Sequence, residues 1–599
     1  MATTYTEDHP DFVNADRGFV GTISPPTIKD AAGNVVFDAS ALDFVTGETP
    51  DTVHPSLWRQ AKLTGRHGLY EVAPGFYQVR GLDISNMTLV EGDTGVIVID
   101  PLISAECAAA GLALYREHRG DRPVTAVIYT HAHIDHFGGV LGVVDADTDV
   151  PIVAPEHFLE HAVSENVYAG VAMLRRGYYY DGHPLEASPE GSVGIGLGPR
   201  ASAGTIGLIP PTLDITRTGQ EERLDGVRLV FQLTPNTESP SEMNFFFPDH
   251  RVLCMAENAT HVMHNLLTLR GAQVRDSRIW SRYLAEAVEL FAYDSDVVFS
   301  SHHWPTWGTD AILAFLTEQR DLYAFMHDQT LRLINQGYTG TEIAEMLELP
   351  PSLDGAWGTR GYYGSLSHNV KAIFQRYLGW YDGNPAHLWQ HPPEAQAARY
   401  VELLGGVDQV VDAVDRYADA GDLRFAAELG SHAVFADPSN AAARDALASV
   451  LERLGLASEN ATWRNCYLTG ASELRSGDSG AIVSASGLMS ALTTTQLFDT
   501  VAIRLDGRKA AGASLSIAWF LTDSQEHYRM ELSHSALVHF PTTRDLPADL
   551  TLRLTRAQLL GLLGSGALDG VDMEGDASVI TRLLALTDAP DPLFHVVEP

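Results

Sequence analysis

Three imidazoles and a carboxylate fall within six residues, at His131, His133, Asp135 and His136, and a Gly138-Gly139 pair follows. Neutral nitrogen and anionic oxygen donors in this mixture form the borderline-soft set that suits zinc. A solvated histidine-rich turn is the plain alternative, and four donors completed by two glycines outweigh it. His131 and His133 can hold one ion while Asp135 and His136 point at a neighbouring one. Two ions need more ligands than these four. Glu238, Glu257 and His302 are the candidates, because each follows a predicted strand. A carboxylate just after Val252-Leu253-Cys254-Met255 can bridge two cations with its two oxygens. Of His302 and His303, the residue nearer the strand end is the better ligand, and its neighbour braces it.

The elements that must position these groups follow from the hydrophobic pattern. Val124 to Tyr129 is β-branched and aromatic and reads as a buried strand leading into the motif. Upstream, Tyr70–Val72, Phe76–Val79, Met87–Val90 and Gly95–Pro101 read as strands, the last ending on an acidic residue. Ser104 to His118 reads as a helix with Ser104 as N-cap. Downstream, 151–154, 227–233, 243–247, 252–256 and 296–300 read as strands and 277–291 as a helix. The polar, Pro-punctuated stretch 1–65 reads as an irregular arm. The stretch 164–218 shows no period and reads as a long loop over the site.

Beyond residue 300 the pattern turns helical, over 311–334 and 341–347. Pro392-Pro393 marks a boundary. Residues 421–447 resemble one tetratricopeptide-type helix pair, whose apolar faces need neighbouring helices or another subunit. Ser476 to Gly480 is a Ser/Gly-rich junction. After it, helices over 490–503, 556–563 and 577–586 interleave with strands over 514–521, 527–532, 537–540 and 550–554. That order looks like a sterol-carrier-protein-2-like module. The expected domains are therefore 1–392, 393–475 and 476–599.

Composition narrows the function. Forty basic against 77 acidic side chains give a net charge of −37 over 599 residues, which repels nucleic acid and anionic membranes. No run reaches the roughly 18 apolar residues of a membrane helix. Cys107, Cys254 and Cys466 are widely separated, so a disulfide scaffold is not expected. The first ten residues lack a basic and an apolar leader region, which points to the cytoplasm.

The motif His131-x-His133-x-Asp135-His136 resembles the signature of the metallo-β-lactamase fold. Thr130 to Gly139, Thr237 to Met243, Ala256-Glu257-Asn258 through Asn265 to Asp276, Ser301 to Pro305, and Arg360 to Asn369 are similar to the class III zinc-dependent alkylsulfatases. The resemblance implies an α/β chain: an αββα sandwich catalytic domain, an α-helical dimerisation domain and an α+β sterol-carrier-protein-2-like C-terminal domain. It implies two zinc ions per chain. His131, His133 and Glu238 would hold one, Asp135, His136 and His302 the other, and Glu257 would bridge. Asn265 and Arg270, with Tyr363, would grip a sulfate group, and the chain would work as a homodimer on a small-molecule alkyl sulfate.

An alkyl sulfate carries one negative charge on a tetrahedral head and an apolar tail. A metal pair that activates water, a planar Arg270 fork and an Asn265 amide suit that head. Protonating the leaving alcohol needs an acid, for which His264, His303 and His368 are candidates. The competing readings are another hydrolase of the fold, such as a lactonase, thioesterase or β-lactamase, and a non-catalytic lipid-binding protein. An iron redox enzyme of the fold would carry Glu at position 133 and an electron-carrying domain.

Overall fold

The β-branched runs between Gly68 and Trp307 pair into two sheets. In the first, Gly68–Ala73, Phe76–Arg80, Met87–Glu91 and Val96–Ile99 run antiparallel in chain order. Val124–Ile128, Ile152–Pro155 and Leu213–Ile215 then extend the sheet in parallel, and Phe19–Gly21 edges its other side. The second sheet runs Glu221–Leu224, Val227–Leu233, Met243–Phe247, Val252–Cys254, Val297–Phe299 and Thr306–Trp307. Runs such as Val96–Ile99 and Val252–Cys254 are apolar at every position because both faces are covered.

Phe76, Ile97, Ile128, Phe231, Phe245 and Val252 fill the space between the sheets, and the Phe76 and Phe247 rings meet edge to face at 4.9 Å. Helix Ala105–Arg119 covers the outer face of the first sheet. Its Gly111 lets it approach so closely that a Cβ there would stand 2.8 Å from the Met87 methyl. Helices Ser277–Leu290 and Thr309–Ile334 cover the second sheet, burying Trp280, Leu284, Ile312 and Leu316 against Leu253 and Val298. This is the αββα sandwich.

The computed structural model describes residues 9–477 and 486–599. The start of the chain, read above for a leader region, falls mostly outside the described residues, and so does most of the Ser476–Gly480 junction. The chain divides into two compact units, one of residues up to 162, 172–483 and 593–599, the other of 163–171 and 484–592. In the first unit the sandwich is followed by helices Pro393–Leu403, Val407–Asp419, Leu423–Ala436, Ala441–Ala457 and Ala461–Ser476. The pair read as a repeat, 423–436 and 441–457, shares its core with the neighbours through Val410, Val414, Ala426, Leu447 and Leu474. In the second unit a mixed sheet runs Ala536–Pro541, Glu526–Ser533, Leu515–Leu521, Leu550–Leu554 and Asp572–Gly575, with helices Thr494–Ala502, Arg556–Ser565 and Ser578–Ala585.

Two stretches differ from the sequence reading. The arm contains a buried helix, Pro55–Thr64, whose first-turn proline and His54 cap start it and whose Leu57, Trp58 and Ala61 face inward. The loop over 164–218 contains helix Gly170–Tyr180. Its inward side is polar, since fully buried Arg175 pairs with Glu473 at 2.5 Å and the Tyr179 hydroxyl donates to Glu473 at 2.6 Å, so no apolar period betrays it. Residues 181–212 carry no helix or strand beyond one bridge between Ala187 and Ser192.

Candidate metal centre

Strand Val124–Ile128 delivers the motif, and a single 3-10 turn, Ile134–His136, folds it back. The glycine pair is needed for close approach: a Cβ on Gly138 would stand 2.3 Å from the Ile103 carbonyl oxygen, and one on Gly139 2.1 Å from that of Pro101. Asp100 and Ala256 both take left-handed backbone, with φ of 53° and 47°. Each ends a strand abruptly, placing Asp100 beneath His136 and throwing Glu257 inward. Such conformations gather at functional sites.

The side chains collect in two adjoining groups, His131, His133, Glu238 and Glu257 in one and Asp135, His136 and His302 in the other. Glu238 Oε2 lies 2.7 Å from His133 Nδ1 and 3.1 Å from His131 Nε2. Glu257 reaches both groups, with Oε2 3.3 Å from His131 Nε2 and 3.4 Å from His136 Nε2, and Oε1 3.3 Å from His302 Nε2. Asp135 Oδ2 is 3.1 Å from His136 Nε2 and 3.5 Å from His302 Nε2.

Three rings are anchored through Nδ1. His136 donates to Asp100 Oδ2 at 2.9 Å and His302 to the Ile84 carbonyl at 3.0 Å. Thr130 gives its hydroxyl proton to Asp100 at 2.8 Å and so accepts from His131 Nδ1 at 2.9 Å. These bonds fix the tautomer and turn each Nε2 lone pair into the cluster. The Nε2 atoms of His131, His136 and His302 and Oε2 of Glu238 are buried and make no hydrogen bond. Buried acceptors facing one another without donors are costly. A cation satisfies all of them, and the donor set fits a divalent metal of the zinc type.

The electrostatics agree. Burial pulls the His302 imidazolium down, yet the Glu257 charge, helped by Asp135, lifts it to about 9. Burial raises the Glu257 carboxyl, and His302 and His264 hold it well below the usual carboxylate range. These groups attract positive charge into a buried space. A further trio, Glu473, His595 and Glu598, also gathers donors, but Arg175 and Arg444 already hold its carboxylates.

Of the other residues singled out in the sequence, Asn265 lies beside the cluster. Its Nδ2 donates to the Tyr180 hydroxyl at 3.3 Å and its Oδ1 accepts from Arg275. His264 Nε2 is 2.9 Å from Glu257 Oε1, with the Tyr363 ring against it at 4.8 Å. Arg270 lies along helix Gly170–Tyr180, its Nη1 3.7 Å from Met173 Sδ. Burial pushes the neighbouring Asp181 carboxyl up to about 7 against the pull of Arg270. His368 accepts at Nδ1 from the Trp463 indole at 3.0 Å, which puts its hydrogen on Nε2, buried and without a partner. His303 is not brought into the cluster. Its Nδ1 accepts from the His261 N–H at 3.1 Å, its Nε2 faces the Gly196 carbonyl at 3.1 Å, and burial drives its pKa down to about 3.

Four supporting residues escaped the sequence reading. Asp100 showed only as the acidic end of a buried strand. Arg275 donates to Glu238 Oε1 at 2.5 Å. Glu242 accepts from the backbone N–H groups of Glu238, at 3.1 Å, and Glu257, at 3.2 Å, pinning both carboxylates. Tyr180 closes on Asn265 and Tyr363. Asp100, Arg275 and Tyr180 meet partners 30, 37 and 85 positions away, and Glu242 reads as an ordinary surface acid, so no local pattern reveals them.

Comparison with known proteins places this geometry. Residues 80–302 match the metallo-β-lactamase superfamily, 339–477 the alkyl sulfatase dimerisation family and 483–599 the alkyl sulfatase C-terminal family. The chain is 44% identical over 99% of its length to a linear primary-alkylsulfatase of Pseudomonas, covering 90% of it. An alkyl/aryl-sulfatase of Saccharomyces cerevisiae is 45% identical over 99% of the chain and 94% of the relative. The chain belongs to the alkylsulfatases of the metallo-β-lactamase superfamily. A solved stereoselective inverting sec-alkylsulfatase of Pseudomonas superposes on this alkylsulfatase with a TM-score of 0.96 at 42% identity, over 99% of this chain and 96% of that one. The seven donors of the two adjoining groups of this alkylsulfatase, His131, His133, Asp135, His136, Glu238, Glu257 and His302, lie inside the 80–302 match. Its dimerisation match begins at 339, well ahead of Pro392-Pro393.

Proposed function

We propose that this chain hydrolyses sulfate esters of aliphatic alcohols, such as dodecyl sulfate, to inorganic sulfate and an alcohol, using two zinc ions. His131, His133 and Glu238 would hold one ion, Asp135, His136 and His302 the other, with Glu257 between them. The observation that supports this most is the buried donor cluster with its unsatisfied Nε2 atoms, in a chain similar along its whole length to proteins named as alkylsulfatases.

Bound zinc supplies Lewis acidity and lowers the pKa of water toward about 7. The protein's own side chains do the rest. Arg270 presents a planar fork that matches two sulfate oxygens, and Asn265, held by Tyr180 and Arg275, offers an amide donor. Tyr363, packed on His264, adds a phenol. His368 suits a hydrogen-bond donor through Nε2, because burial drives its pKa to about 3 and keeps it neutral. His264, against Glu257, is the better placed acid for the leaving alcohol, and His303 serves to brace the loop.

No helix among the described residues is long and apolar enough to cross a membrane. The reading includes a homodimer through the helical segment and a reducing compartment such as the cytoplasm, which suits three unpaired thiols. A panel of dodecyl sulfate, a lactone, a thioester and a β-lactam tests the substrate. Turnover confined to the sulfate supports the reading, and preference for any of the others contradicts it.

A further inference from the structure

Arg80 closes strand Phe76–Arg80 and is only 6% exposed. Its Nε and Nη2 atoms are buried and have no hydrogen-bond partner among the described residues. The other buried arginines are answered: Arg59 meets Asp11 at 2.6 Å, Arg175 meets Glu473 and Arg275 meets Glu238, both at 2.5 Å, and Arg464 donates to three backbone carbonyls. Arg80 instead lies with its Cζ 3.4 Å from the centre of the Tyr70 ring. An aromatic face offsets part of the charge but leaves the in-plane donors unmet. Burial lowers the Arg80 pKa only to about 10, with Arg66 repelling it further and no carboxylate acting on it, so it stays charged at neutral pH.

Arg80 lines a cavity of about 20 Å³ together with Arg66, Asn86 and Trp304. The Trp304 side chain is buried, and its indole N–H likewise lacks an acceptor. In a chain with 77 acidic side chains, no aspartate or glutamate is among the described residues that line this cavity. Arg66 pairs with Asp16, which is not one of them. Asn86 has already given its amide to the His303 carbonyl at 2.8 Å. A buried cation and a second buried donor around an enclosure without an acceptor are costly. A water molecule would accept bonds but leave the charge, whereas an anion answers both. The space slightly exceeds the roughly 10–15 Å³ that one water needs, which suits a single monatomic ion and excludes an alkyl sulfate.

We propose that this cavity is a halide site, in which one anion of the chloride class accepts from the Arg80 guanidinium and the Trp304 indole. Ile84 also lines it, and the Ile84 carbonyl accepts from His302 Nδ1 at 3.0 Å. The anion therefore sits behind the loop that orients one of the clustered histidines, outside the cluster itself.

Thermal unfolding of the metal-loaded full chain tests this, in sodium chloride, sodium bromide and sodium gluconate at equal ionic strength, for wild type and Arg80→Met. Wild-type Tm should rise saturably with either halide, by on the order of 2 °C over gluconate, and Arg80→Met should not distinguish the salts. A wild type indifferent to halide overturns the site. So does an Arg80→Met that responds like the wild type, which is the result expected of halide acting at the metal centre or on the surface. Bromide-soaked crystals of the wild type decide independently of how the variant folds: an anomalous peak within hydrogen-bond reach of Arg80 and Trp304 is expected, and water there without such a peak contradicts the proposal.

Discussion

His136 Nδ1 lies 2.9 Å from Asp100 Oδ2, and the same carboxylate oxygen accepts hydroxyl protons from Thr130 at 2.8 Å and Ser301 at 2.6 Å. One buried acid thus orients His136 directly and His131 through Thr130. Asp100→Asn keeps the size but cannot accept all three bonds. Metal affinity should fall about 10- to 100-fold, measured by competition with a coloured chelator. Unchanged affinity would remove Asp100 from the account.

Arg275 holds Glu238 and Asn265 together. In Arg275→Met the Glu238 carboxylate, 2% exposed, keeps its burial and loses its partner. Breaking such a pair costs about 3–5 kcal/mol. The metal-free variant should unfold at clearly lower denaturant than metal-free wild type, whereas bound metal should narrow the gap. Equal midpoints without metal would contradict this role.

On the proposed reading Arg270 grips the sulfate, so Arg270→Ala should leave fold and metal content intact. Loss of a bidentate sulfate contact predicts a fall in kcat/KM of roughly 30- to 300-fold on alkyl sulfates, about 2–3 kcal/mol. Arg270→Lys should recover only part of it, since an ammonium cannot present two parallel donors. Steady-state sulfate release reads both.

Glu473 gives a pH dependence away from the metal. Burial raises its carboxyl, but the Tyr179 hydroxyl and Arg175 outweigh this and hold it below the usual carboxylate range. A depressed folded pKa means that the unfolded chain binds the proton more readily. The stabilisation is therefore complete above about 4.3 and is lost as pH falls below that. Glu473→Gln should lower Tm relative to wild type at pH 7, and the deficit should shrink at pH 4. A deficit that does not change with pH would contradict the assignment.

Much of this was readable from local pattern. The sheets announce themselves because strands buried on both faces are apolar at every position, as in Val96–Ile99, and the motif because its donors share one turn. Glu257 and His302 stand out as polar groups directly after such strands. Helix Gly170–Tyr180 does not, because its buried side is Arg175 and Tyr179, held by a glutamate almost 300 positions away. Strand Asp572–Gly575 is exposed at every residue and gives no apolar signal. Arg275 and Glu242 are similarly silent, since a charged side chain in sequence reads as surface until its partner is seen. His303 illustrates the reverse case, a histidine in a motif whose ring faces away from the cluster.

On the proposed reading the histidine and carboxylate cluster holds the metal that sulfate release depends on. This reading is tested most directly by measuring metal content and sulfate release from dodecyl sulfate on the same samples of wild type and His133→Ala. The wild type should carry two zinc ions per chain and release sulfate rapidly, and His133→Ala should fold with less metal and with release lowered by at least about 1,000-fold. Undiminished release from His133→Ala, or a wild type active with far less than one metal ion per chain, would contradict it.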